Sequence, residues 1–104
     1  MAWSDVAILA EPEALVVRLH GDIDLSNTSG IANAVTLAQR WRHSTIVFDL
    51  SNVAFMDCAG VGALVRAYNA VSPYGCSVVV RKPCDQVRFV LEATGIDQLV
   101  HVQS

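Results

Sequence analysis

The run Phe55-Met56-Asp57-Cys58-Ala59-Gly60 sets an acid, a thiol and a glycine between an apolar stretch and an amphipathic one. If Cys58 opens a helix, unpaired backbone N–H groups and the positive end of the helix dipole face it. That arrangement favours an anion, a phosphate or a thiolate. Asp57 beside it, and Asp22 and Asp24 from an earlier loop, oppose thiolate formation by charge repulsion. Gly60 allows another backbone or a bulky group to approach closely, and Gly62 relaxes the helix again. On a purely structural reading Asp57 is an N-cap, Cys58 a small apolar residue and Gly60 a packing glycine.

Other reactive groups do not assemble into a recognisable catalyst. Cys58, Cys76 and Cys84 are an odd set without a C-x-x-C pair, which fits reduced thiols better than a disulfide framework or a zinc site. A cysteine hydrolase needs a histidine base, but His20, His43 and His101 fall at strand or helix ends with nothing to relate them to Cys58. Gly60-Val61-Gly62 lacks the third glycine of a dinucleotide-binding turn, since Val65 stands there, and no acid ends the next strand. No metal-ligand spacing is present. The chain is expected not to be an enzyme and to need no cofactor or metal.

The elements that must position these groups follow from periodicity. Leu15, Val17 and Leu19 alternate with Val16, Arg18 and His20 in a strand over Ala14 to Gly21, with DVAILA and the turn-like EPE ahead of it as a hairpin partner. Asp22 to Gly30 is rich in side chains that bond their own backbone, and Ser26 or Asn27 caps a helix. Its stripe is Ile31, Ala34, Val35, Ala38 and Trp41, ending near Arg40 to His43. Thr45 to Leu50 is apolar on both faces apart from Asp49, the mark of an interior strand. Val61, Leu64, Val65 and Tyr68 form a second helical stripe stopped by Pro73 and Gly75. CSVVVR is a strand. Pro83, Asp85, Val87, Val90, Leu91 and Gly95 outline a third helix, and LVHV is the last strand.

The order is β-β-α-β-α-β-α-β. This predicts one small α/β domain over residues 1–104, its mixed sheet built from an N-terminal antiparallel hairpin and parallel strands joined by helices. Loops at the carboxyl ends of the parallel strands, DIDLSN, NVAFMDCAG and RKPCD, are where function is expected. Cys58 and Cys84 fall at that edge and form a candidate redox pair, which needs Cα atoms within roughly 7 Å. Cys76 falls at the opposite edge.

Composition bounds the partner. At 53% hydrophobic and 16% charged, the chain has ample core and is too apolar for disorder. A net charge of −3 argues against nucleic acid or an anionic membrane surface. The N-terminal stretch has no basic region and is broken by Glu11, Pro12 and Glu13, so it reads neither as a signal peptide nor as a membrane span. A cytoplasmic location and a protein or neutral partner are expected.

Four pieces, in order from about Leu15 to His101, resemble the STAS domain of bacterial anti-sigma factor antagonists. They are LHGDID, IVFDLSNVAFMDCAGVGAL, SVVV and VRFVLEATGIDQLV. The resemblance implies binding to an anti-sigma factor that is also a serine kinase, so that a sigma factor is freed. Carried over residue by residue, Asp24 and Asp57 match the acids flanking the family's phosphorylated serine and Gly60 the motif glycine, while Cys58 replaces the acceptor. A thiol is not the hydroxyl a serine kinase uses, but it is nearly the size of serine, so the unphosphorylated binding surface can survive. Ser26, Thr28, Ser29 and Ser51 are caps or turn residues. The implied partner surface is Asp24, Asp57, Cys58, Ala59, Gly60 and Val61, on a monomer or weak dimer. A bulky residue at Gly60 is expected to weaken docking and spare the fold. The other reading is a STAS accessory subunit, in a lipid transporter or a stress-signalling scaffold, where the acceptor is dispensable.

Overall fold

Thr45 to Leu50, apolar on both faces, does become the middle of the structure, but the strand it starts runs much further than periodicity suggests. A computed structural model describes residues 6–10, 14–23 and 29–103. Its elements are β1 (Val6–Ala10), β2 (Ala14–Ile23), α1 (Ser29–Arg40), β3 (Thr45–Met56), α2 (Cys58–Val71), β4 (Ser77–Arg81), α3 (Asp85–Ala93) and β5 (His101–Gln103). Short 3-10 turns at Ser72–Tyr74 and Ile96–Gln98 follow α2 and α3. The sheet order is β1-β2-β3-β4-β5, antiparallel between β1 and β2 and parallel elsewhere.

Because each parallel strand is laid down beside the previous one in the same direction, right-handed crossovers put every helix on one face. That face carries the core. Leu15 lies beside Ile46 and Ile46 beside Val78, while the next inward row joins Val17, Phe48, Val80 and Val102. Ile31, Ala34, Val35 and Ala38 of α1, Val61, Leu64, Ala67 and Val71 of α2, and Val87 and Leu91 of α3 close over these rows. Burying a side chain such as Phe48 or Leu64 contributes about 1.5–3 kcal/mol.

Three expectations change. Trp41 leaves the α1 stripe and is 55% exposed, because the helix has ended at Arg40. In α2 the buried line is Gly60, Val61, Ala63, Leu64, Ala67 and Val71, with Val65 and Tyr68 at its margin. Leu99 is exposed and Val100 only leads into β5, which starts at His101. The proposed caps Ser26 and Asn27, the EPE turn, Thr28 and Asp24 lie outside the described residues.

The end of α1 is built as a Schellman turn. The His43 N–H donates to the Ala38 carbonyl at 3.1 Å and the Arg42 N–H to the Gln39 carbonyl at 3.3 Å. The residue that must turn left-handed is Arg42, at φ 55°, where glycine is the usual and least strained choice. Arg42→Gly is therefore expected to stabilise the fold by up to about 1 kcal/mol, read as a raised denaturant midpoint with an unchanged slope.

Asp49, the charge inside β3, is 6% exposed and lies on the sheet face opposite the helices. Its Oδ1 accepts from the Ser51 hydroxyl at 2.7 Å and the Ser51 N–H at 3.0 Å, and Arg18 Nε stands 3.5 Å from Oδ2. Burial by itself pushes this carboxyl up. The two Ser51 bonds and Arg18 together outweigh it, leaving Asp49 below its ordinary pKa of 3.8. A carboxylate lowered in the folded state contributes stability that is complete above the unfolded pKa and is lost as pH falls through the folded one. Stability lost below about pH 4 should accordingly shrink in Asp49→Asn, measured by unfolding at a series of acid pH values, with the variant already weaker at neutral pH.

Candidate partner-binding site

Pairing between β3 and β4 stops at Asp49 and Arg81, whereas β3 continues beside β2 as far as Met56 opposite Ile23. The segment Leu50 to Met56 thus stands out beyond β4 at the carboxyl edge of the sheet. Two register shifts against β2, between Arg18 and His20 and between Gly21 and Asp22, let β3 take extra residues, and Gly21 supplies the positive φ of 86° at the second. These bulges break the alternation of β3 and explain why Asn52 to Met56 does not read as strand in the sequence.

The unpaired side of this extension is held by α3. Gln86 faces the Met56 peptide like a strand neighbour: its Oε1 accepts from the Met56 N–H at 3.1 Å, and its Nε2 donates to the Met56 carbonyl at 3.4 Å. The Cys84 thiol lies 3.7 Å from the Ala54 carbonyl. Periodicity gives no signal for Gln86, since a glutamine in a first helical turn is unremarkable until the strand end beside it is known.

Directly after Met56, Asp57 turns the chain into α2. Its backbone is extended, at φ −106° and ψ −171°, and Oδ1 accepts from the N–H groups of Ala59 at 2.9 Å and Gly60 at 3.2 Å. The Asp57 carbonyl takes the Val61 N–H at 3.1 Å. The cap reading of Asp57 holds, and the N–H groups of Ala59 and Gly60 go to this carboxylate and not to an external anion.

Cys58 is the first helical residue and is exposed, with Asp57 and Ala59 half-buried beside it. Gly60 and Val61 are buried in the core side of α2. Because Gly60 is buried, a bulky residue there is expected to cost packing as well as any surface contact. Cys58 opens α2 and Cys84 is the N-cap residue of α3, the helices that follow the neighbouring strands β3 and β4, and both are free thiols. Cys76 lies at the other edge, where burial pushes its thiol up, only partly opposed by a backbone bond from Ile46. The elements that meet near Cys58 also expose Phe55, at 44%, and Phe89, at 69%. Sequence reasoning passed over both. Phe89 lies three residues beyond Gln86, on the same side of α3. Among the described residues no cluster of His, Cys, Asp and Glu could hold a metal, and no helix is long and apolar enough to cross a membrane.

A family model for the STAS domain matches this chain over residues 5–104. The chain belongs to the STAS domain family. A relative called anti-sigma-B factor antagonist in Staphylococcus aureus is 24% identical over 86 residues, 83% of this chain and 80% of the relative. Among solved structures, the anti-sigma factor antagonist SpoIIAA in its unphosphorylated form superposes with a TM-score of 0.81 at 21% identity, over 95% of this chain and 88% of that one. The STAS domain of a SulP transporter from Vibrio cholerae superposes at 0.77 and 20% identity, over 92% of this chain and 77% of that one. The mixed five-stranded sheet with an antiparallel β1 is the STAS fold.

In this STAS domain the cap and the surface residue can be separated by substitution. Asp57→Ala should cost about 1 kcal/mol of stability, Asp57→Asn much less, because the amide oxygen still caps. Cys58→Ala, which removes an exposed side chain, should leave the denaturant midpoint within about 0.5 kcal/mol of wild type.

Proposed function

We propose that this STAS domain is an anti-sigma factor antagonist that binds a serine-kinase type anti-sigma factor through the carboxyl edge of its sheet. Cys58 stands in place of the phospho-acceptor serine, and the domain is held in the state that binds. The observation that carries the reading is the exposed thiol at the first position of α2, directly after the capping Asp57. The curated relatives' names support the activity. SpoIIAA has been solved in both unphosphorylated and phosphorylated forms, so in that protein phosphate is part of the biology.

The proposed contacts are Asp57, Cys58 and Ala59 at the surface, the backbone of Gly60 and Val61, and Asp24 from the preceding loop, with Phe55 and Phe89 as flanking apolar anchors. The role is binding, in the cytoplasm, and not catalysis. A phosphate on the first residue of α2 would bring about −1.5 to −2 charges beside a carboxylate that already occupies the helix N–H groups. That repulsion is what would release the partner in a serine-bearing domain. A thiol at this position keeps the size of serine and removes the hydroxyl that accepts phosphate.

The likeness to the SulP transporter domain favours a second reading, an accessory STAS subunit in which the acceptor is dispensable. The two are separated by incubating wild type and Cys58→Ser with an anti-sigma kinase and ATP, then measuring complex formation and intact mass. The proposal expects both proteins to bind and only Cys58→Ser to gain a phosphate and dissociate. Stoichiometric phosphate on the wild type, or capture of transporter subunits and no anti-sigma factor from a native lysate, would overturn it.

A further inference from the structure

The edge of the sheet opposite Cys58 carries an open pocket of about 570 Å³, lined by Ala38, Gln39, Arg42, His43, Val71, Tyr74 and Cys76. Its walls come from the ends of α1 and α2 and from the chain entering β3 and β4. Gln39 pins one wall by donating to the Ala70 carbonyl at 3.0 Å. Ala38, Val71 and Cys76 make a buried apolar floor. A volume of this size lies within the range of small-molecule sites.

Although the chain carries ten acids and a net charge of −3, no carboxylate is among the described residues that line the pocket. Arg42 is exposed, and its guanidinium makes no ion pair or hydrogen bond with a described residue. His43 Nδ1 is buried without a hydrogen-bond partner. Stranding a buried N–H there would cost more than leaving a bare lone pair, which favours the neutral tautomer with its proton on Nε2, a donor. The Tyr74 hydroxyl, on a ring that is 81% exposed, adds another at the rim. Arg42 also occupies a left-handed position that glycine would fill with less strain, so the guanidinium is placed at this rim against local backbone preference.

We infer that this pocket binds a small organic monocarboxylate, its apolar body on Ala38, Val71 and Cys76 and its carboxylate on Arg42 and His43. The planar fork of arginine suits a carboxylate, and the apolar floor selects against a small, fully hydrated anion. The site is independent of the docking surface, and its test does not involve the anti-sigma factor.

Proton–nitrogen correlation spectra of the full chain titrated separately with octanoate, 1-octanol and inorganic phosphate read the site directly. Octanoate should give saturable shifts clustered at Arg42, His43, Tyr74 and Cys76, with octanol and phosphate at least about tenfold weaker. Arg42→Gly, which relaxes the backbone while removing the guanidinium, should keep the wild-type spectrum elsewhere and weaken octanoate at least about tenfold. Arg42→Lys, which keeps the charge without the fork, should fall between. The inference fails if octanoate shifts scatter over the surface without saturating, if phosphate matches octanoate, or if both Arg42 variants bind octanoate as wild type does.

Discussion

The projecting end of β3 is the constraint on which the carboxyl edge depends. A strand that outlasts its neighbour leaves peptide groups unpaired, and unpaired buried peptide groups cost about as much as lost hydrogen bonds. Gln86 answers that need at Met56, one residue before the chain must turn. Asp57 then answers the equivalent need at the start of α2 by accepting from Ala59 and Gly60. With both ends satisfied, the first residue of the helix is fixed in space and left exposed, and that residue is Cys58. The presentation of one side chain thus rests on a glutamine from a different helix and an aspartate that is not itself free to act on a ligand.

Much of the fold is legible in the sequence because most of the chain obeys a single period. The alternation of Leu15, Val17 and Leu19 and the helical stripe of Ile31, Ala34, Val35 and Ala38 each reach the core as expected. Legibility fails where two rules compete. Asn52 to Met56 is strand, but bulges against β2 scramble its alternation, so it looks like a link. Trp41 continues the spacing of α1 although the Schellman turn at Arg42 has already ended the helix. Asp57 is legible as a cap because it depends only on neighbours in sequence. Gln86 and Phe89 are not, because their importance comes from where a distant strand ends.

The motif acid Asp49 illustrates the same division between shape and chemistry. Within D-L-S its carboxylate accepts two bonds from Ser51, with Arg18 on the neighbouring strand β2. Asp57 likewise spends its charge on backbone. On the proposed reading, what sets this STAS domain apart chemically is a single atom, sulfur where a phosphorylated serine would carry oxygen, at position 58. Such a change is small for a docking surface, which reads size and shape, and large for a kinase, which requires a hydroxyl.

Hydrogen exchange of the domain alone and bound to an anti-sigma factor tests the central claim most directly, because it locates the contact without altering a residue. Docking through the projecting edge predicts slowed exchange in residues 54–61 and the first turns of α3, with residues 38–43 at the far edge unchanged. Protection confined to the far edge or to the β1 side, with residues 57–61 exchanging as in the free domain, would contradict it.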